Sequence, residues 1–541
     1  MKDEVLRLRR VDVRNFRCID HVSFTTDGYT LLIGRNNTGK TSVVDALRCF
    51  YGDLKFDGQR DTRRGGGDDA SVAVEVEFTR SAGEASNDSI TIRRDFTANE
   101  ITLREGADGP RSLKAKALSS GEYGRVVHVP AVTRLEDQTK TGGPSPVREL
   151  IADVVSSLQT EEKKEQLRRL TAQMEEALRN DGLEEAEGAL NERLVGWRGD
   201  LRFRVDPPPI DKFVMAGVGL RFVVDGQDRQ IEEFGSGFQR QLIASLLQVR
   251  AELENGAGSR NGGPIVLLFE EPEIFQHPAK QRQLARMLRQ LADKAGWAVI
   301  SSTHSPHFVE RGADRLEALV RLTRRRGAAG AVSYQATKLL EALERCRQRG
   351  TEILGRGSGL SDAVALELDR ARYDVDIDTE RAGMFFADLV ILAEGATEYA
   401  VFHRLIDTGV LELPTQSAEV VQTFGKYNTV RFLRMLDAFG VPTVVVHDRD
   451  ATKTKEKDRL EHEALNQFIA DECANCELAS DPIVLDDDLE TFLGWPTVTA
   501  KHLKPASALR HLEWVQIGSY PLTQPPGLVE EPWFGAALGR G

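Results

Sequence analysis

Disulfide chemistry has almost no material in this chain: five cysteines, Cys18, Cys49, Cys346, Cys473 and Cys476, are scattered through 541 residues, which excludes a stapled scaffold. No run of 18 apolar residues occurs, and the first residues lack the apolar stretch of a signal peptide. The expectation is a protein with no membrane span, working in the reducing cytoplasm. Positive charge is also in deficit, since 71 Lys and Arg face 84 Asp and Glu for a net charge of -13. That excludes a nucleic-acid coat that is basic all over, but not a local basic channel. Cys473 and Cys476 form a lone C-x-x-C; a structural zinc needs four ligands and no second pair exists, so an ordinary helix-end pair is expected. Internal repeats and low-complexity tracts are absent as well.

What is present is a globular composition, 40% hydrophobic and 29% charged, with a length that suggests roughly three or four domain-sized units. The segment GRNNTGKTS, residues 34 to 42, follows the apolar run Leu31, Leu32, Ile33 and precedes an amphipathic one. The spacing G-x-x-x-x-G-K-[ST] lets backbone N–H groups curl around phosphates, while Lys40 reaches the terminal ones and Thr41 offers a hydroxyl to Mg²⁺. Gly34, Asn36, Asn37, Gly39, Lys40, Thr41 and Ser42 are therefore the expected nucleotide-binding set, with the phosphates at a helix N-terminus.

Around this loop, residues 3 to 33 and 71 to 105 read as short alternating strands separated by Gly, Asn and Asp turns, an antiparallel layer. From Val147 to Leu194 the chain is strongly charged with apolar residues recurring at three and four, the pattern of an inserted helical hairpin. "DPPP" at 206 to 209 ends it, and "VGLRFVVDG" leads back as a β segment. A basic stretch lies between Arg321 and Gly350, in which Arg324, Arg325 and Arg326 are either phosphate contacts or a solvated loop. A second α/β pattern starts at Leu389, and the last twenty residues read as a loosely packed tail.

Two further segments belong with the loop. "PIVLLFEEPEIFQHP", 264 to 278, is an apolar strand that delivers two acids to its C-terminal edge; Glu270 suits the Mg²⁺ shell and Glu271 the attacking water. "WAVISSTHSPHF" ends another apolar strand and puts His304 near the terminal phosphate if the two strands are neighbours. In "FGSGFQRQLIASLLQVRAELE", Ser236 and Gly237 open a long amphipathic helix and offer donors to an anion. Together these resemble ATP-binding-cassette ATPases of the SMC and RecF kind. That resemblance implies that the signature loop of one protomer, here Ser236, Gly237 and Gln239, closes on the ATP of the other. It departs from LSGGQ at Gly235 and Phe238, and Glu270 stands where most cassettes carry Asp. "RNFRCI", 14 to 19, resembles the family's adenine-side strand.

The second acidic constellation starts with "ADLVILAEGATEYAVFHRLI", a buried strand ending at Glu394, then a glycine and a helix bearing Glu398. "VPTVVVHDRD" is another strand, with Asp448 and Asp450 two apart and so on one side of an extended chain. Four such carboxylates repel unless cations sit among them, and hard oxygens favour Mg²⁺ or Mn²⁺; two metals about 4 Å apart can activate water on a phosphodiester.

Their order resembles a Toprim domain, and a cassette ATPase followed by Toprim resembles the OLD (overcoming lysogenization defect) family of nucleases, Gabija-type defence subunits included. The resemblance implies an α/β chain: an ABC-type ATPase over 1–345 with a helical dimerisation insertion at 143–205, a linker at 346–385 and a Toprim nuclease domain over 386–541. It implies metal ligands at Glu394, Glu398, Asp448 and Asp450, joined by Asp488 and Glu490, and a phosphate-stabilising lysine at Lys504, or less favourably Lys501. It also implies ATP and Mg²⁺ or Mn²⁺ as cofactors, DNA as substrate, a homodimer or higher homo-oligomer and a helicase-like partner. The alternative is a RecF-like or SMC-like clamp whose Toprim module binds DNA without cutting it.

Overall fold

The computed structural model describes residues 6–63, 71–80, 89–131, 221–253 except 225, 231 and 232, 263–324, 330–354 except 337 and 338, 376–408, 415, 417–450, 455–485 and 501–516, with a few isolated positions besides. The expected helical insertion at 143–205 lies almost wholly outside them. So do Arg325, Arg326, Asp488, Glu490, the last 25 residues and the side chain of Lys501.

Strand formation in the first part follows from alternation. In β1 (Leu6–Arg14) Leu6 and Leu8 point inward between exposed arginines; an irregularity between Leu8 and Arg10 resets the phase, so that Val11 and Val13 are buried next. β2 (Ile19–Thr25), β4 (Ala73–Arg80), β5 (Ser89–Asp95), β6 (Glu100–Glu105) and β7 (Arg111–Ser112) extend this as an antiparallel layer. The strands that carry the motifs are different: β3 (Tyr29–Ile33), β11 (Ile265–Glu270) and β12 (Trp297–Ser302) are buried at every position, as parallel strands covered on both faces must be. With β8 (Arg125–Val129), β13 (Leu319–Arg324) and β14 (Ala331–Tyr334) they complete one twelve-stranded sheet, ordered β7-β6-β5-β4-β1-β2-β14-β13-β3-β12-β11-β8. A small hairpin, β9 (Arg221–Val224) with β10 (Gln227–Gln230), stands apart as "VGLRFVVDG" predicts.

Each central strand feeds two cores. Leu32, Val266, Leu268 and Ile300 join α1 (Lys40–Tyr51) and the antiparallel layer on one face. Leu31, Leu267, Phe269 and Val299 face α2 (Ser236–Leu253) and α3 (Pro278–Ala292) on the other. Each such side chain is worth about 1.5–3 kcal/mol of apolar burial. "RNFRCI" is not a strand. It turns the chain between β1 and β2, with Asn15 and Arg17 at positive φ and Arg17 paired to Asp45 and Asp61.

The C-terminal part holds a separate all-parallel sheet, β16-β15-β17-β18, from β15 (Leu389–Ala393), β16 (Ala418–Gln422), β17 (Thr443–Asp448) and β18 (Ile483–Leu485). Of the helices around it, α4 (Leu339–Leu354) packs on α6 (Lys426–Ala438) and α7 (Glu456–Ala474), while α5 (Ala396–Asp407) packs on α8 (Lys504–Gln516). The boundary expected at residue 345 therefore falls inside a helix, and residues 346–354 are structured. Val390, Leu392 and Val445 share the core that also contains Leu31 and Phe269, so the two sheets are joined by continuous apolar packing.

One buried cation reinforces that junction. Arg321, on the strand beside β3, donates to the carbonyls of Phe385, Ala387, Phe439 and Gly440 at 2.7–3.2 Å. Burial holds its guanidinium down, at about 10. It lies in the basic stretch, yet it is interior; Arg324 at the end of the same strand is exposed.

Candidate functional site

Because β3, β12 and β11 are parallel neighbours, their C-terminal ends meet at one edge of the large sheet. That edge receives Gly34 from β3, His304 just beyond β12, and Glu270 and Glu271 from β11. The loop after β3 needs its glycines. Gly34 has φ 136, and a Cβ there would lie 2.3 Å from the Leu322 carbonyl oxygen; Gly39 has φ 105. Asn37, at φ 64, is a residue type that tolerates this region. Lys40 opens α1 and folds back over the loop, its Nζ 2.8 Å from both the Gly34 and Arg35 carbonyls. Burial lowers it to about 8 against the opposing pull of Glu271 and Glu273. Thr41 and Ser42 follow on the same first turn, as their expected roles require.

Each acid at the end of β11 is held. Glu270 accepts from His128 Nε2 at 2.8 Å, a histidine delivered by the edge strand β8. Glu271 stands at φ 43, uncommon for a side chain of its kind, and its amide donates to the Ser302 carbonyl. His304 Nε2 lies 3.7 Å from Glu271, and burial together with Lys40 pulls its imidazole down to about 4, so it is neutral at physiological pH. Its amide donates to Glu273, a half-buried acid whose desolvation pushes it up.

The signature helix is tied to this edge through its backbone and through Arg240. That guanidinium, only 2% exposed, donates to the carbonyls of Glu270, Glu271 and Ala131. Gln276, in the turn after the acids, donates to the Gly237 carbonyl at 2.6 Å. Ser236 is the first residue of α2, as the motif predicts. Gln239 is buried and its amide donates to the Phe234 carbonyl, so in this state it caps its own loop.

The small sheet repeats the arrangement on a second edge. Glu394 follows β15, and its carboxylate accepts from the Asp448 amide at the end of β17 at 3.2 Å. Burial raises Glu394 to about 7; Lys426 opposes this and Asp450 adds to it. Glu398 sits at the third position of α5 and its carboxylate accepts from the Gly395 amide at 2.9 Å, closing the helix start; a Cβ on Gly395 would lie 2.8 Å from the same oxygen. The argument that Asp448 and Asp450 share a side because the chain is extended does not hold: Asp450 has φ 56, and β17 has ended at Asp448. The turn still leaves Asp450 close enough to act on Glu394. Asp450 pairs with Lys426 Nζ at 2.8 Å and with His462 Nδ1 at 3.0 Å. Among the described residues no group of three or more His, Cys, Asp or Glu is drawn into a metal-binding cluster. The carboxylate oxygens of Glu394, Glu398, Asp448 and Asp450 at this half-buried edge are nonetheless hard donors of the kind Mg²⁺ or Mn²⁺ takes, while the Lys426 ammonium neutralises one of them. Lys504 is the first residue of α8, half-buried. Cys473 and Cys476 are buried at the end of α7, and burial pushes both thiols up to about 12.

Four functional candidates escape a reading of motifs: His128, Arg240, Lys426 and Arg35. Arg35, inside the phosphate loop, pairs with Asp388, the residue before β15, the strand that leads to Glu394. Only Lys426 leaves a sequence trace, a Gly-Lys after an apolar strand that echoes Gly39-Lys40.

Comparison with known proteins finds a family match over each of the two parts. Residues 29–310 match the family described as "AAA domain, putative AbiEii toxin, Type IV TA system", and residues 385–450 match "Overcoming lysogenization defect protein-like, TOPRIM domain". An OLD nuclease of Thermus scotoductus is 24% identical over 95% of this chain and 96% of its own. The Old nuclease of Escherichia phage P2 is 23% identical over 92% and 86% respectively. Among solved structures, an SMC head domain from Thermotoga maritima aligns with 61% of this chain and 98% of its own at 14% identity, TM-score 0.32.

Proposed function

This chain belongs to the OLD family, an AAA-type ATPase domain joined to an OLD-like TOPRIM domain, and we propose that it is a divalent-metal-dependent DNA endonuclease governed by ATP. The observation that carries the reading is the bond from the Asp448 amide to the Glu394 carboxylate, which draws the two acidic motifs to one point on a sheet separate from the nucleotide loop.

At the first edge, Lys40 exchanges the Gly34 and Arg35 carbonyls for the nucleotide's terminal phosphates. Thr41 and Glu270 would hold Mg²⁺, which supplies charge neutralisation at the phosphates when bound; Glu271 is placed to orient the attacking water, and neutral His304 to offer a donor or acceptor beside it. At the second edge, Glu394, Glu398, Asp448 and Asp450 would hold Mg²⁺ or Mn²⁺, which supplies water activation and charge neutralisation at a phosphodiester when bound. Lys426 holds Asp450 in place meanwhile, and Lys504 is the candidate for charge stabilisation at the scissile phosphate. A division into an ATPase domain and a Toprim domain starting at 386, with α4 (Leu339–Leu354) kept whole and dimerisation through 143–205, is part of this reading; so are a homodimer that completes each ATP site with the partner's Ser236 and Gly237, a helicase-like partner and a role in phage defence. Sedimentation as a monomer with and without ATP would remove the dimer.

Supercoiled plasmid incubated with the purified chain, with and without Mg²⁺, Mn²⁺ and ATP, tests the activity. Metal-dependent nicking is expected from the wild type and none from Asp448→Ala, whose ATP binding stays intact. Undiminished nicking by that variant would overturn the site.

A further inference from the structure

Phe424 is out of place by ordinary folding criteria. It is 52% exposed, and its backbone lies in the left-handed region at φ 59, where a bulky aromatic residue is a genuine outlier. Both neighbours are pinned to the end of β15: the Thr423 amide donates to the Ala393 carbonyl at 2.9 Å and the Gly425 amide to the Glu394 carbonyl at 3.0 Å. The ring is thereby held at the rim of the acidic edge, one residue past Thr423 and two before Lys426, whose ammonium pairs with Asp450.

The ring also has a fixed companion. The Arg381 guanidinium lies over it, 4.5 Å from the centroid, and is itself anchored: Nη1 donates to Asp378 Oδ2 at 2.8 Å and to the Asp376 carbonyl at 3.4 Å, while the Arg381 amide donates to Asp378 Oδ1. Packing against Arg381 leaves about half of Phe424 in water. An exposed aromatic backed by a cation is the surface on which single-stranded nucleic acid stacks, because every base offers a π-face whatever its identity.

The geometry points to Phe424, backed by Arg381, as a stacking platform for an unpaired nucleobase of the DNA strand beside the phosphate to be cut. It rests on the nuclease reading and deepens it: the preferred DNA carries unstacked bases next to the scissile bond, and recognition there is tolerant of sequence. The bound strand thus gains an uncharged contact at an edge otherwise built from acids.

The test measures binding without cutting. Full-length Asp448→Asn protein is titrated with Mg²⁺ into a fluorescently labelled single-stranded oligonucleotide and a duplex of the same sequence, alone and with Phe424→Ala, Phe424→Leu or Phe424→Trp added. Phe424→Ala and Phe424→Leu should both weaken single-strand binding about 5- to 100-fold, with the salt dependence unchanged because no ion is released by stacking. Phe424→Trp should bind as the parent does. An unchanged melting temperature for each variant guards against misfolding. Equal affinity for Phe424→Ala and the parent, or no single-strand binding by either, overturns the platform, and full affinity in Phe424→Leu makes the contact apolar and overturns stacking. Plasmid nicking by the wild type is read separately, so the nuclease reading can stand when the platform falls.

Discussion

The two acid-bearing edges share a plan and differ in how they tolerate their charge. At the end of β11, Glu270 is held by a histidine, and the carbonyls of Glu270 and Glu271 by the interior arginine Arg240. The fixing groups there act mainly through hydrogen bonds and backbone. At the ends of β15 and β17 the acids lean on one another's surroundings instead: Glu394 is pushed up to about 7 by burial, and Asp450 relies on the buried ammonium of Lys426. The first edge is organised before its ligand arrives. The second carries an internal cation where, on the proposed reading, metal ions gather.

The largest effect that would sharpen this contrast is at Glu271. Replacing it with Gln keeps the shape at φ 43 but removes the group that orients water, so ATP turnover should fall about 10²–10⁴-fold while calorimetry still finds ATP bound; Lys40→Ala should instead lose the binding. Unimpaired hydrolysis by Glu271→Gln would show that the first edge does not work through this acid. Next is Lys426→Met, which takes the ammonium away from Asp450 beside Glu394 and leaves His462 against it. The chain should lose about 3–5 kcal/mol of stability without metal, and Mn²⁺ should restore much of it, read as melting temperature with and without the ion. A loss that Mn²⁺ leaves untouched would mean that lysine and metal do not serve the same charge. The smallest effect is expected at His128→Ala, where Glu270 keeps its position but loses its orienting partner. Affinity for Mg²⁺-ATP should weaken about 10- to 100-fold, by titration; no change would reduce His128 to packing.

Much of this was legible before any coordinates. Glycines at fixed spacing, apolar strands ending in acids and a helix opening with Ser236 and Gly237 are local signals, and parallel strands bring their C-terminal ends together by rule. What escaped is what depends on pairs distant in the chain. His128 meets Glu270 across 142 residues, and Arg35 meets Asp388 across 353; neither motif names its partner. Local pattern also fails where a residue leaves the extended region, as at Asp450, whose φ of 56 puts a left-handed turn where the alternation of β17 predicts a continuing strand. The basic stretch misled for a third reason. Charge counts cannot tell an exposed Arg324 from an interior Arg321 that spends its donors on carbonyls.

That interior arginine has a bearing on time as well as space. The carbonyls it reaches lie 64 to 119 residues later in the chain, so while the polypeptide is still emerging the strand beside β3 carries a guanidinium whose acceptors have not been made. Sealing it inside early would leave a cation without hydrogen-bond partners, which is costly. The full set of acceptors for Arg321 exists only once Gly440 has been synthesised, so the nucleotide-binding half depends on the later half of the chain for the partners of one of its own buried cations.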